Sequence, residues 1–184
     1  MSNIDLLKAR NLEFAGNFAQ SDLVPLPKLG MIIVACIDAR VDPTTVFGLE
    51  LGDAVVMRNN GGRVTPAIIE EITALSLLVA KITGQEAPVF HIMLMQHTKC
   101  GAQQFAAPDF QAQIKEQTGI DVSASAITDP ESDLMVDIGR LREASNLHGG
   151  LTVSAMLYDI ETGVAREIAQ TQSLAELRSN GTDI

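Results

Sequence analysis

The sequence predicts a doubly wound α/β sheet, and three observations carry that prediction. Met31-Ile32-Ile33-Val34-Ala35 is a short, continuous apolar run rich in β-branched residues, the composition of a strand covered on both faces in a parallel sheet. Residues 66–82 carry apolar side chains at 68, 69, 72, 75, 78, 79 and 82, a helical spacing with Pro66 in the first turn. Segments of these two kinds alternate along the chain, and alternation of strand and helix is the signature of a parallel sheet with helical crossovers.

Taken in order, residues 2–19 place Ile4, Leu7, Phe14 and Phe18 on one face of a helix, which Val24-Pro25-Leu26-Pro27 then ends. Residues 31–35 form the first strand, 53–57 the second and 89–95 the third, with the 66–82 helix between the last two. Residues 104–133 are the least periodic stretch and are assigned a helix with surface loops. Leu134, Ile138, Leu141, Ala144 and Leu147 mark another helix, ending before Gly149-Gly150. Residues 151–158 form the final strand, closed by a turn over 159–163. At 184 residues, with no internal repeat or linker, the chain is expected to form a single domain over 1–184.

Composition excludes some functions. The net charge of −10 repels polyanions, so neither nucleic acid nor an anionic membrane is an expected partner. Aromatic residues are 4% of the chain, without Trp, which leaves little surface for stacking on bases or sugars. No apolar run reaches the roughly 20 residues a membrane helix needs, and residues 1–20 do not read as a signal peptide. Two cysteines are too few for a disulfide framework, so a reducing, cytoplasmic location is expected, where thiols are free to serve a metal.

The residues with chemistry in them cluster at predicted strand ends. Cys36 follows the first strand, and His97 and Cys100 follow the third. In a doubly wound sheet functional groups gather beyond the carboxyl ends of strands, so the three meet if those strands are neighbours. Two thiolates and an imidazole suit zinc, and three protein ligands with an open position mark a catalytic site. The plainer reading makes both cysteines small core hydrophobes and His97 a helix cap. Asp38 and Arg40 alternate with Cys36 on one face of an extended segment. There Asp38 could accept a hydrogen bond from metal-bound water, with Arg40 favouring its charged form; the alternative is a surface ion pair of little worth. Elsewhere the reading is structural. His91 is placed in the core, His148 at a helix end with proton shuttling as the alternative, and Met31, Met93, Met95 and Met156 in the core. Glu70-Glu71 reads as a solvated face. Gly61-Gly62 and Gly149-Gly150 lack any phosphate-loop pattern.

Cys36-x-Asp38-x-Arg40 followed by His97-x-x-Cys100-Gly101 resembles the β-class carbonic anhydrases. Arg58-Asn59-x-Gly61 is similar to that family's Arg-Asn-Ala-Gly turn, with Asn60 where Ala is common, and residues 150–163 resemble its last core strand and turn. The resemblance implies Zn2+ held by Cys36, His97 and Cys100, an Asp38–Arg40 catalytic dyad, and a Gly101 N–H that receives the bound anion. It further implies a mostly parallel sheet with an added edge strand, and a homo-oligomer, dimer or dimer of dimers, with the N-terminal helix lying on a partner subunit. The activity it implies is reversible hydration of carbon dioxide to bicarbonate by zinc-bound hydroxide. Hydrolysis of carbonyl sulfide or carbon disulfide at the same zinc is the alternative, and a non-catalytic zinc-stabilised module the second. Whether Asp38 itself ever ligates the zinc stays open in the sequence.

Overall fold

Ile32, Ile33, Val34 and Ala35 are all buried, and the strand they form, β1 (Met31–Cys36), runs inside the sheet as their apolar continuity requires. The computed structural model describes residues 2–181. β1 is flanked by β2 (Ala54–Asn59) and β3 (His91–His97), followed outward by β4 (Thr152–Tyr158) and β5 (Ala165–Ser173). The sheet order is β2-β1-β3-β4-β5; the first four strands are parallel and β5 is antiparallel to β4. The chain leaves β1 for β2 on one side and later returns to β3 on the other. The gap between the carboxyl ends of β1 and β3 is therefore the topological switch point of the sheet.

Among the described residues six α-helices accompany it: α1 (Asn3–Gly16), α2 (Pro43–Phe47), α3 (Pro66–Thr83), α4 (Pro108–Thr118), α5 (Pro130–Glu143) and α6 (Leu174–Ser179). α3 begins where the Thr65 hydroxyl accepts from the Ile68 N–H with Pro66 in the first turn, and ends at Gly84 in the left-handed region. On one face of the sheet, Ile68 and Ile72 of α3, Leu134, Ile138 and Leu141 of α5, and Leu174 and Leu177 of α6 pack on Ile32, Val34, Ile92, Leu94, Val153 and Ala155. On the other face Ile33, Ala35, Met93 and Met95 pack with Val41, with Val46, Phe47 and Leu49 of the short α2 region, and with Met156, Tyr158 and Ile160.

The α/β class with a mostly parallel sheet flanked by helices holds, the long helices that touch the sheet lying on one face and the short α2 on the other. Other expectations are corrected. The strand ending at Tyr158 is not the last, because β5 follows it; this is the added edge strand. His97 and Cys36 are the closing residues of β3 and β1 rather than residues after them. Along α3 only Ile68 and Ile72 are buried, while Leu78 and Ile82 of the same stripe are exposed. The 104–133 stretch holds the end of a 3₁₀ turn (Gly101–Ala106), α4, a second such turn (Ser123–Ser125) and the start of α5. α1 has a Ser2/Asp5 capping box at its start, yet none of its residues is buried, and Ile4, Leu7 and Phe14 face outward.

A candidate metal centre at the switch point

β1 and β3 are hydrogen-bonded neighbours in parallel register, Ala35 opposite Met95, so Cys36 and His97 emerge side by side. The chain then reverses through Thr98 and Lys99, where Lys99 adopts φ 52, a left-handed backbone rare for a side chain with a Cβ. Thr98 steadies the reversal: its N–H donates to Tyr158 O at 2.9 Å, and its hydroxyl lies 3.3 Å from Asp159 Oδ1. The reversal brings Cys100 back over Cys36, with the two sulfurs 3.7 Å apart and no disulfide between them. Cys36, His97 and Cys100 are all buried, and their ligand atoms lie within 4.8 Å of one another.

The chemistry of this cluster fits one tetrahedral cation. With Zn–S near 2.3 Å, two thiolates on one zinc stand about 3.8 Å apart, and the sulfurs here are at 3.7 Å. His97 Nδ1 lies 2.9 Å from Thr98 O, an acceptor, which assigns the proton to Nδ1 and leaves the lone pair on Nε2. That Nε2 is buried and has no hydrogen-bond partner. A buried imidazole lone pair without a partner is costly, and a metal would satisfy it.

The electrostatics favour anionic sulfur. A hydrogen bond with Cys100 holds the Cys36 thiol well below its usual range against the opposing effect of burial, aided by His97 and by the backbone N–H groups of Asp38 and Gly61. The same bond, with burial, pushes Cys100 up, while the Ala102 N–H pulls it down. The pair thus favours an anionic Cys36 sulfur, the form in which a thiol ligates a cation.

Beside it, Asp38 and Arg40 form a two-pronged ion pair: Arg40 Nε donates to Oδ1 at 2.9 Å and Nη2 to Oδ2 at 2.6 Å. Hydrogen bonding from Arg40 holds the Asp38 carboxyl well below the usual carboxylate range. Asp38 Oδ2 is 4.0 Å from His97 Nε2, so the carboxylate borders the metal position while committed to Arg40. Arg40 is anchored in turn, donating to Lys99 O at 3.2 Å. Arg58, at the end of β2, donates to Cys36 O at 3.0 Å and Asp38 O at 2.7 Å, bracing the segment that carries both groups.

Gly101 opens the 3₁₀ turn directly after Cys100, and Asn60 is exposed in the turn beyond β2. Neither remaining histidine is near. His91 starts β3, with both ring nitrogens engaged by the Thr152 and Ser154 hydroxyls at 2.9 and 2.8 Å. His148 precedes β4. Both lie at the amino end of the sheet, a strand length of roughly 20 Å from His97, which faces Tyr158 at the other end of β3 and β4. Within one copy of the chain, His148 is therefore far from the cluster. Sequence reasoning missed Arg63, Asp133 and Asp137, buried close behind the cluster; Asp133 and Asp137, four residues apart among Leu134, Ile138 and Leu141, were the available signal.

Compared with known proteins, residues 31–138, more than half of the chain, match the family model described as "Carbonic anhydrase". Beta-carbonic anhydrase 1 of Mycobacterium tuberculosis is 28% identical over 170 residues, covering 91% of this chain and 99% of that protein. This chain belongs to the β-class carbonic anhydrases. Among solved β-carbonic anhydrase-like structures, the carbonic anhydrase of Streptococcus mutans superposes with a TM-score of 0.74 at 30% identity, covering 91% of this chain and 98% of that one. The apo form of a carbon disulfide hydrolase shares the fold at TM-score 0.60 and 19% identity, covering 91% of this chain and 90% of that one.

Proposed function

We propose that this chain binds one zinc ion through Cys36, His97 and Cys100 and catalyses the reversible hydration of carbon dioxide to bicarbonate. The observation that carries the reading is the buried, partnerless His97 Nε2 beside two sulfurs, bordered by the Asp38–Arg40 pair. When bound, zinc at such a site supplies Lewis-acid activation of water, bringing its pKa toward about 7.

The protein's own groups do the rest. Asp38, kept ionised by Arg40, accepts a hydrogen bond from the attacking water and so aims the free lone pair at the substrate carbon. Arg40 restrains that carboxylate from turning toward the cation. The Gly101 N–H is assigned the product anion. In the balanced step a water oxygen adds to the carbon, one C=O electron pair moves to oxygen, and bicarbonate and a proton result. The proton leaves to solvent without either distant histidine.

The same residues would serve hydrolysis of carbonyl sulfide or carbon disulfide, the second reading, which the fold likeness to a carbon disulfide hydrolase keeps in view. A purely structural zinc wants four Cys or His ligands; among the described residues three come together, which supports the catalytic reading. Assembly belongs to this proposal as well. α1 exposes Ile4, Leu7 and Phe14 and buries nothing, and a short helix has little stability alone, so a second copy is assigned to cover it.

The test is turnover of carbon dioxide and carbonyl sulfide by the same purified, zinc-analysed protein and by Asp38→Asn. Carbon dioxide is expected to be the better substrate, and Asp38→Asn to keep its zinc while losing roughly 10²-fold or more in rate. Zinc-loaded protein inert toward carbon dioxide refutes the activity; full turnover by Asp38→Asn refutes the role of Asp38.

A further inference from the structure

The turn beyond β2 is wedged against both strands of the metal centre. A Cβ on Gly62 would stand 2.7 Å from Cys36 N, 2.9 Å from Ala35 C and 3.1 Å from Met95 O. One on Gly61 would meet Ser125 O at 2.6 Å. Asn59 closes this turn with its side chain, donating to Arg63 O at 2.8 Å and accepting from Arg63 N at 2.9 Å.

Arg63 then points inward, almost wholly buried. Its Nε donates to Asp137 at 2.8 Å, and its Nη1 donates to Asp133 at 2.7 Å and to Ala126 O at 2.6 Å. Both carboxylates are themselves fixed. Asp133 accepts the N–H groups of Thr128 and Asp129 at 2.7 and 3.1 Å, and Asp137 accepts Arg140 at 2.8 Å. From Arg63 two short routes lead to the ligands. One runs through Gly62 and Gly61 to Cys36. The other runs through Ala126 to Ile127, whose N–H donates to Ala102 O at 3.3 Å, two residues beyond Cys100. Cys36, Cys100, Ala102 and Ile127 form one buried cluster.

Such a group is a poor means of gaining stability. Burial pushes the Asp137 carboxyl up, opposing Arg63 and Arg140, and apolar side chains of similar volume often replace buried ion pairs without loss. An apolar replacement cannot supply direction: a guanidinium fork pins several acceptors at fixed angles. We propose that Arg63, gripped by Asp133 and Asp137, is a positioning residue for the metal centre, locking the Gly61–Gly62 turn and the 126–127 segment so that Cys36 and Cys100 keep the spacing one cation requires. The inference rests on the zinc reading given above.

The test measures zinc affinity by competition with a chromophoric chelator, together with the thermal midpoint, for the wild type, Arg63→Lys and the double variant Arg63→Met/Asp137→Leu. Lysine keeps the charge without the fork; the double variant replaces the Arg63–Asp137 pair by an apolar contact and leaves Asp133 held by the Thr128 and Asp129 N–H groups. The double variant is expected to stay folded at a midpoint below that of the wild type, because Asp133 stays buried without its cation. Both variants are expected to bind zinc roughly 10–100-fold more weakly, the usual loss when a group supporting metal ligands is removed. Unchanged affinity in the folded variants, or an affinity loss that only tracks lost folding stability across them, overturns the proposal. A wild-type chain that takes no zinc from the chelator fails at a different point, overturning the metal reading and this inference with it.

Discussion

Gly62→Ala is expected to destabilise the protein by about 2–5 kcal/mol and to loosen the metal centre with it. Two costs combine. Gly62 sits at φ +63, where a Cβ collides with its own backbone at a cost of about 1–2 kcal/mol. The new methyl would also stand 2.7 Å from Cys36 N and 2.9 Å from Ala35 C, backbone atoms of the central strand with no rotamer to escape into. Overpacking of that kind adds about 1–3 kcal/mol. Against a typical folding stability of about 5–15 kcal/mol the total is severe. Gly84→Ala is the control. Gly84 has φ +73, but a methyl group there would have nothing within 4 Å, so the variant meets the backbone cost alone. Denaturant unfolding of the two variants side by side isolates the packing cost as their difference, and zinc affinity should fall in Gly62→Ala only. If Gly62→Ala is as stable as Gly84→Ala, the close approach of this turn to Cys36 does not constrain the fold, and the reasoning fails.

Cys36→Ser and Cys100→Ser should each lose zinc and carbon dioxide turnover together; elemental analysis showing full zinc in either rejects the ligand assignment. Arg40 holds the Asp38 carboxyl below the usual carboxylate range, so the ion pair contributes stability above about pH 4 that is lost as pH falls toward the depressed value. Urea unfolding between about pH 3 and 5 should therefore show a shallower acid loss in Asp38→Asn than in the wild type, and identical slopes would deny the pair any linkage to folding. Deletion of residues 1–20 should lower the assembly state or cause aggregation, read by light scattering; an unaltered oligomer mass would show that α1 is not what holds copies together.

The Cys36, His97 and Cys100 cluster was legible because its signals are local. Cys36, Asp38 and Arg40 are consecutive alternate positions, His97 and Cys100 are three apart, and the two strands delivering them are strongly apolar segments. The inner strands follow the same logic, since burial on both faces leaves an unbroken apolar run. β5 lacks that signature. Ala165–Ser173 mixes partial burial and exposure without a regular alternation on an edge, and its polar Arg, Glu, Gln and Thr residues blur the pattern. α2 is five residues long, too short for a period to register. Arg63 was invisible for a different reason: its partners lie 70 and 74 positions away, and a lone Arg near a turn reads as a solvated charge until the fold buries it. The stripe on α3 misled in the opposite direction, because periodicity marks an apolar face without saying whether this chain covers it.

The left-handed backbone at Lys99, between His97 and Cys100, has a consequence for metal capture. A lysine held at φ 52 stores roughly 1–2 kcal/mol of strain, sustained by the Thr98 contacts on one side and the Arg40 bond to Lys99 O on the other. The loop is thus bent to shape by folding itself. On the zinc reading, an arriving cation would meet a pair of donors already placed by folding and would have less ordering entropy to supply, with folding stability exchanged for affinity. Glycine at this position would relax the strain and return the exchange: the chain would fold with less tension there, and the ion would have to arrange its own ligands.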